Sequence, residues 1–464
     1  MIINYTGVGG SRAAYKMSET LRKENKILAV VSTGRAAADL ARDLVFCVPD
    51  AEVIVLNESE NLQILYEARD RAEAAERVKA LQILNTASEE LSAPTAVIAP
   101  VSAALKLTAD PGRFAKHITE LKVGGRMEPS QLREKLAAIG YKPSSVTESQ
   151  GEFTSRAGIV DVYPPFYENP VRIEFFDDEI ESIREYDSSS QRSVKKLESI
   201  SIGPSVEFIP TNEEKEKALA AILKEYDRRI RKIRKELARP DAEDGRIDFL
   251  ENNKGRIKDL FEENINLQIY ADLIAYFDVP KFRLWDYVRK GAVILSDPAE
   301  VKKEIREPYD DEDLFEIYKG IGRKTDLYVY TPFPERIEGA EKIDEIVNIK
   351  SRQIAPFNGK LEIFSSEVKR LTSRGFNVII AAGSEEKNQR IREYLDIADM
   401  GASLSRVSYR EGSLSTGFIM DDEKVCFISE SDINSRSSKK ARKSVKKKKS
   451  ADTIQFSDLK KGEA

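Results

Sequence analysis

The sequence predicts an α/β protein whose parallel sheet is interrupted by a small insert. Short apolar runs at 27–31, 52–56 and 96–100 alternate with helical patterns at 11–23, 34–43 and 67–87. Continuous apolar strands separated by helices indicate a parallel sheet covered on both faces. A similar apolar strand returns at 292–295, so we expect the sheet domain to resume after the insert.

The insert has a different pattern. Residues 158–163 and 171–176 are predicted strands, and Asp177-Asp178 is a predicted turn into the segment 179–186. Short strands joined by a tight turn favour a small, largely antiparallel α+β unit.

A long charged helix, 213–239, follows the insert, and Pro240 is expected to end it. The chain to about residue 275 is also predicted to be helical. Residues 357–433 indicate a second small α/β unit. Its predicted elements are helix 361–373, strand 377–381, helix 385–394 and strand 425–428.

These patterns divide the chain into five segments. They are the first part of the α/β domain (1–117), the α+β insert (118–204), the second part of the α/β domain (205–345), a small α/β third domain (355–434) and a basic, disordered tail (435–464).

Composition limits the functional classes. The 464 residues are 41% apolar and carry a net charge of −5, so the chain as a whole lacks the positive charge typical of nucleic-acid binders. Nine Lys and Arg residues, without any Asp or Glu, lie between Arg436 and Lys449. We interpret this run as a solvated linker, with weak nucleic-acid contact as the alternative.

Cysteine and histidine are scarce. Cys47 and Cys426 fit neither a disulfide nor a zinc spacing, and His117 is the one histidine, which we interpret as structural. No metal site is therefore predicted. No membrane span or signal pattern is found, so the cytoplasm is the expected compartment.

A glycine-rich loop stands where a parallel α/β domain would bind phosphate. A nucleotide-binding loop needs Gly-x-x-x-x-Gly-Lys-Ser/Thr, in which the Lys neutralises phosphate and the hydroxyl binds Mg²⁺. Here Gly7 holds the first position, but Arg12, Ala13 and Ala14 hold the last three. Arg12 or Lys16 could supply charge, but neither replaces the magnesium ligand. The sequence therefore predicts a turn that begins a helix, with weak anion binding as the alternative.

The second half of a nucleotide site is also incomplete. The strand at 292–295 leads to Asp297, a candidate metal-side acid, but Pro298 occupies the position of the catalytic Glu. Proline cannot orient or deprotonate water, so we predict no catalytic residues in this chain.

The predicted strand 171–176 has two different faces. Val171, Ile173 and Phe175 share an apolar face, and Arg172, Glu174 and Phe176 share the other. An aromatic ring and an Arg on an exposed sheet face are typical of a binding interface. From the pattern alone, a helix covering Phe176 is an equal alternative.

The stretches 151–164, 170–184 and 187–193 resemble the segment shared by the excision-repair helicase UvrB and the transcription-repair coupling factor, Mfd. The similarity extends through 283–287, 358–361 and 373–384. Because the nucleotide-loop residues are missing, the chain is more similar to the N-terminal UvrB-like module of the coupling factors. UvrB's tyrosine-rich hairpin also has no counterpart at 57–71, which reads as polar and then helical.

The resemblance implies a non-enzymatic module that recruits UvrA to stalled transcription without a cofactor. It assigns the UvrA contact to Arg156, Arg172 and Phe176. Ala157 replaces the glycine that more often follows that first arginine, which makes Arg156 the weakest of the three assignments. Residues 458–463 resemble the entry to a polymerase-interacting domain, so we expect a fragment, with a natural short form as the alternative. Either would lack the polymerase-binding and motor domains, and its UvrA surface would be unmasked.

Two other functions remain open from the sequence. One is a UvrB-like ATP-dependent helicase fragment, and the other is a nucleic-acid-binding protein that acts through its basic tail. On the favoured interpretation, RNA polymerase and DNA are partners only through domains that this chain lacks, and no membrane is involved.

Overall fold

A computed structural model describes residues 1–58, 71–236, 245–263, 268–305, 314–322, 325–334, 343–398 and 401–434. The first part of the chain alternates strands and helices. In order they are β1 (Ile2–Thr6), α1 (Ser11–Glu24), β2 (Lys26–Val31), α2 (Gly34–Cys47), β3 (Glu52–Val55), α3 (Arg71–Asn85), β4 (Thr95–Pro100), α4 (Val101–Leu105) and α5 (Pro111–Ala115).

The insert consists of short strands and one helix. They are β5 (Thr119–Lys122), α6 (Pro129–Ala138), β6 (Lys142–Pro143), β7 (Glu152–Arg156), β8 (Ile159–Val162), β9 (Val171–Phe176), β10 (Glu179–Tyr186), β11 (Ser193–Leu197) and β12 (Ser199–Ile202).

Helices then lead back to the first sheet. This segment contains α7 (Asn212–Glu236), α8 (Gly245–Glu263), α9 (Gln268–Asp272), β13 (Ala292–Ser296), α10 (Pro298–Glu304), α11 (Leu314–Gly322), β14 (Asp326–Thr331) and β15 (Glu345–Asn348).

The last unit is a small α/β domain. It contains β16 (Ser351–Gln353), α12 (Leu361–Ser373), β17 (Asn377–Ala381), α13 (Glu385–Ile397), β18 (Val407–Tyr409), β19 (Phe418–Met420), β20 (Val425–Ser429) and α14 (Glu430–Asn434). Short 3-10 turns lie at Ser88–Glu90, Ile274–Tyr276, Leu284–Tyr287 and Gly401–Arg406.

The main sheet has seven strands in the order β15-β1-β14-β13-β2-β4-β3, and every neighbouring pair is parallel. Leu28 and Val30 pack into the core on one face, whereas Ile27 and Ala29 pack into the core on the other. Because both faces of β2 are buried, the strand needs apolar residues at consecutive positions. The predicted parallel α/β sheet is confirmed, and it resumes after the insert through β13 and β14.

The insert builds a six-stranded sheet in the order β11-β10-β9-β8-β7-β6, in which only the short β6–β7 pair is parallel. A separate two-stranded sheet pairs β12 with β5. The inner face of the larger sheet packs on α6 through residues such as Leu132 and Leu136.

Four buried charged side chains join the two parts of the α/β domain at the point where the chain leaves the insert. Arg77 Nε donates to Glu207 Oε2 at 2.8 Å, and Lys106 Nζ donates to Glu207 Oε1 and to Asp272 Oδ1, both at 3.1 Å. Arg77 lies on α3, Glu207 on the chain leaving the insert, and Asp272 at the end of α9. Since each charge is paired inside the protein, the cluster fixes how the three segments meet.

The third domain packs on the main sheet domain and not only on itself. Its sheet has the order β16-β19-β20-β17-β18. Phe418 and Phe427 from this sheet join the core that contains α1 and α2, and the Tyr15 ring of α1 lies 5.8 and 5.4 Å from theirs. The third domain therefore packs on the same side of the main sheet as α1 and α2.

Candidate partner-binding face

Strand β9, in the middle of the insert sheet, carries Arg172 and Phe176, two of the three predicted partner-binding residues. Val171, Ile173 and Phe175 are buried on its inner face. Arg172 and Glu174 are partly exposed on the outer face, which carries no helix in the described part of the insert. This two-residue alternation follows from the strand geometry.

Phe176 is 76% exposed. It ends β9, opposite Glu179 of β10, and the tight turn that follows places Asp177 at φ 58°. The ring therefore projects at one end of a hairpin. Exposure of so large an apolar side chain has a free-energy cost that burial against a partner would remove.

Arg172 is held by three side chains of the insert. Its Nε and Nη2 atoms donate to the two carboxylate oxygens of Asp161 at 2.7 and 2.8 Å, and Nη2 also donates to Gln191 Oε1 at 3.1 Å. The guanidinium lies 4.7 Å from the ring centroid of Tyr186. The hydrogen bonds that Arg172 donates to Asp161 raise the pKa of Arg172. These contacts fix the orientation of the side chain before any partner arrives.

Arg156 ends β7 on the same outer face. Its register partner on β8 is Ile159, which is in turn opposite Glu174 of β9. The side chain is exposed, and its Nη2 donates to the backbone oxygen of Ser145 at 3.2 Å. Arg156 is thus less constrained than Arg172.

The same face carries residues that the sequence analysis did not single out. Ser182 Oγ donates to Glu174 Oε2 at 2.5 Å, and Arg184 is ion-paired with the other oxygen of Glu174. Burial raises the pKa of Tyr186 to about 12. Alternation within one strand cannot reveal Asp161 or Arg184, because both depend on the register between strands.

The glycine-rich loop lies between β1 and α1, as predicted, but other parts of the chain pack against it. Gly7 has φ +82°, and a Cβ atom there would lie 2.3 Å from the backbone oxygen of Ile349. Ser351 Oγ donates to the backbone oxygen of Gly7, and Arg12 Nη1 donates to Ser351 Oγ at 3.4 Å. The loop is therefore in direct contact with the segment that leads into the third domain.

The start of α1 is also engaged by the third domain. Ser11 Oγ donates to Asp43 Oδ2 at 2.6 Å, and the backbone N–H groups of Ser415 and Thr416 donate to Asp43 Oδ1 and Ser11 Oγ at 2.6 and 3.0 Å. Burial raises the pKa of Asp43. A carboxylate of the chain itself thus lies beside the helix start where a phosphate-binding loop would receive its ligand.

Arg12 and Lys16, the two possible substitutes for the missing lysine of the nucleotide loop, are engaged in contacts within the protein. Arg12 Nε donates to Gly9 O at 3.2 Å, and Lys16 is ion-paired with Glu19 at 2.7 Å and with Glu423 at 3.5 Å. The Ala13 and Ala14 side chains are buried.

Asp297 caps a helix. Its carboxylate accepts from the backbone N–H of Glu300 at 3.3 Å, and Pro298 forms the first turn of α10. Burial raises the pKa of Asp297. This geometry accounts for the Asp-Pro pair by helix capping alone.

The remaining candidates lie away from these sites. His117 is partly buried, and burial lowers its pKa. Cys47 and Cys426 are both buried free thiols. Within the described ranges, no cluster of His, Cys, Asp and Glu has the arrangement of a metal site, and no helix is long and apolar enough to cross a membrane. Most of the 57–71 region and the whole basic run 436–449 lie outside the described residues.

The insert matches a known family of protein domains. The UvrB interaction domain family matches residues 119–208, which contain all six strands of the insert sheet and the outer face of β9.

The chain is also similar to longer proteins over almost all of its length. It is 27% identical over 470 residues to the transcription-repair-coupling factor of Bacillus subtilis, which covers 94% of this chain and 39% of that protein. It is 27% identical over 487 residues to that of Staphylococcus aureus and 26% identical over 489 residues to that of Staphylococcus epidermidis, with 99% of this chain and 40% of each relative covered. The chain thus spans about two-fifths of the length of these relatives. Together, the match of residues 119–208 to the UvrB interaction domain family and the length of the similarity support an N-terminal module of the transcription-repair coupling factor kind.

Proposed function

We propose that this chain is a recruitment module that binds UvrA through the outer face of β9, and so directs excision repair to stalled transcription. The observation that carries the proposal is Phe176, which is 76% exposed on a domain of the UvrB interaction family. Arg172 lies four residues before Phe176 on the same strand face, and Arg156 lies two strands away.

The chemistry of the face suits a protein partner. Interface hot spots combine an aromatic or Arg anchor with neighbours that exclude water. Phe176 supplies the apolar area, and Arg172 supplies a cation whose side chain is already ordered by Asp161. An ordered arginine loses less conformational entropy on binding than a free one.

The experiment measures the affinity of the whole chain for UvrA by biolayer interferometry. We expect Phe176→Ala to cost about 2 kcal/mol or more, as for a hot spot, and the Arg172→Ala/Phe176→Ala double variant to lose still more. Phe333→Ala is the matched control, because Phe333 is 71% exposed on a different unit. Arg374→Ala, an exposed arginine at the end of α12, is the control for charge. A folded double variant that binds UvrA as tightly as the two controls would contradict the proposal.

We further infer that the module acts without hydrolysing ATP. Gly7 O and Ser11 Oγ accept hydrogen bonds from Ser351 and Thr416, and Ala13 and Ala14 lack the required functional groups. This inference disfavours a UvrB-like helicase fragment. Isothermal titration with Mg²⁺-ATP should give no heat of binding at micromolar concentrations, whereas clear binding or turnover would favour the helicase.

A further inference from the structure

Helix α7 carries a straight stripe of basic side chains on its outer face. Lys217, Lys224, Arg228, Arg231 and Lys235 are spaced by 7, 4, 3 and 4 residues. These spacings place them on one face of an α-helix. At 1.5 Å per residue, the stripe is about 27 Å long.

The opposite face of α7 is used for packing. Ile222, Tyr226 and Ile230 are buried and join a core that includes Ile257 of α8. All five residues of the stripe are exposed. The packing of α7 on α8 therefore fixes the direction in which the stripe points. The stripe itself contains no large apolar side chain.

Few carboxylates neutralise the stripe. Seven basic and two acidic residues lie between Lys224 and Lys235. Lys217 is ion-paired with Glu213 and Arg228 with Glu225, and Asp227 is ion-paired with Lys254 of α8. Among the described residues, Lys224 and Lys235 have no carboxylate within ion-pair distance, and Arg231 donates to the backbone oxygen of Asp227 at 3.1 Å.

The interaction of basic residues with the helix dipole does not explain the whole stripe. Basic residues interact favourably with the helix dipole only in the last turn, yet Lys217 lies five turns before the end of α7. Like charges three or four residues apart repel each other by a few tenths of a kcal/mol per pair. Lys224 with Arg228, and Arg231 with Lys235, are such pairs. Helix stability alone therefore does not favour this arrangement.

We propose that the outer face of α7 binds the phosphate backbone of double-stranded DNA without reading its sequence. A rigid row of cations complements a duplex, which carries one negative charge per ~1.7 Å of its axis. Single strands are bound by basic grooves with aromatic stacking platforms, and the stripe contains no aromatic residue. Anionic membranes are bound by helices with an exposed apolar face, which α7 buries against α8.

The choice of DNA over an RNA duplex rests on the proposed repair function, since a module that recruits UvrA acts beside damaged DNA. The stripe would add a non-specific contact that keeps the module near the duplex. The stripe is separate from the outer face of β9. An experiment can therefore contradict DNA binding by α7 without contradicting UvrA binding by β9.

The test is fluorescence anisotropy with a labelled 30-base-pair DNA duplex and the full chain, at several salt concentrations. The stripe variant is Lys224→Gln/Arg231→Gln/Lys235→Gln. Removing three phosphate contacts should reduce the magnitude of the negative slope of log K against log salt by about 2 to 3, and should weaken binding roughly tenfold or more in 50 mM salt. The variant should keep its circular dichroism spectrum and its affinity for UvrA.

A matched control makes the same charge change elsewhere. Lys360→Gln/Lys369→Gln/Arg374→Gln alters three exposed basic residues of the third domain and should bind DNA like the unmodified chain. Equal DNA affinity of the stripe variant and the control would overturn the proposal. So would binding lost only when Lys446, Lys447, Lys448 and Lys449 of the basic tail are changed to Gln.

Two further ligands test whether the stripe prefers RNA or an anionic membrane to DNA. A 30-base-pair RNA duplex and vesicles of phosphatidylserine with phosphatidylcholine are titrated in the same way. Weaker binding of both than of DNA supports the proposal. Tighter binding of either one, lost in the stripe variant, would overturn the assignment to DNA.

Discussion

Arg172 and Asp161 form a two-hydrogen-bond ion pair between neighbouring strands of the insert sheet, with distances of 2.7 and 2.8 Å. The pair lies on the face that carries Phe176, and Gln191 and Tyr186 complete the surroundings of the guanidinium. Asp161 thereby holds the side chain of the arginine that we propose contacts UvrA.

Asp161→Asn should weaken UvrA binding, because an amide holds the guanidinium less firmly than a carboxylate does. We expect a loss of roughly tenfold, or about 1.4 kcal/mol. Removal of Arg172 in the Asp161→Asn background should then cost less than in the native chain. Biolayer interferometry of the four combinations gives this coupling. Asp177→Asn, in the exposed turn, is the control, and additive effects would argue against a positioning role.

Glu207→Gln should destabilise the protein strongly. Glu207 is buried and accepts hydrogen bonds from both Arg77 and Lys106, so its neutralisation leaves buried cations incompletely paired. Loss of one partner from a buried ion pair typically costs about 3–5 kcal/mol. Urea unfolding would show a lower midpoint, whereas Glu198→Gln, an exposed change in the insert, should leave the midpoint almost unchanged.

Gly7→Ala should be more destabilising than Gly375→Ala. Both glycines have positive φ, +82° and +86°, so both substitutions strain the backbone. Only at Gly7 would the new methyl group meet a backbone atom, at 2.3 Å from Ile349 O, since nothing lies within 4 Å of the Cβ position at Gly375. We expect a difference of about 1–3 kcal/mol, as for overpacking. Equal melting temperatures would contradict the close contact at the loop.

Glu214 should make stability depend on pH in the acid range. Hydrogen bonds from Arg113, at 2.9 and 2.7 Å, lower the pKa of Glu214 to about 2, below its ordinary value of 4.5. The unfolded chain therefore binds this proton first as the pH falls, and the stabilisation is complete above pH 4.5 and is lost as pH falls through about 2. The stability difference between the native chain and Glu214→Gln should shrink over that window.

The control for this pH dependence is Glu216→Gln, an exposed change on the same helix. Thermal unfolding at pH 2.5, 3.5, 5 and 7 measures each difference. A difference for Glu214→Gln that is constant over this range would contradict the role of the Arg113 pair.

The sequence by itself determined the strands and helices whose apolar residues repeat regularly within the element. The buried strands β2, β4 and β13 were predictable because both of their faces need apolar residues, and α12 because its apolar residues repeat at helical spacing. The two faces of β9 were predictable for the same reason, since alternation is a property of one strand. Strands such as β11 were not, because its residues are almost all exposed and follow no apolar pattern.

Only the tertiary structure decided which residues meet across the chain. The inner or outer placement of Phe176 was open from the pattern, because a covering helix leaves no mark on the strand it covers. The Asp161–Arg172 pair depends on strand register, and the contact of Gly7 with Ile349 joins residues 342 positions apart in sequence. Such contacts are set by how whole elements pack, and the local sequence does not carry that information.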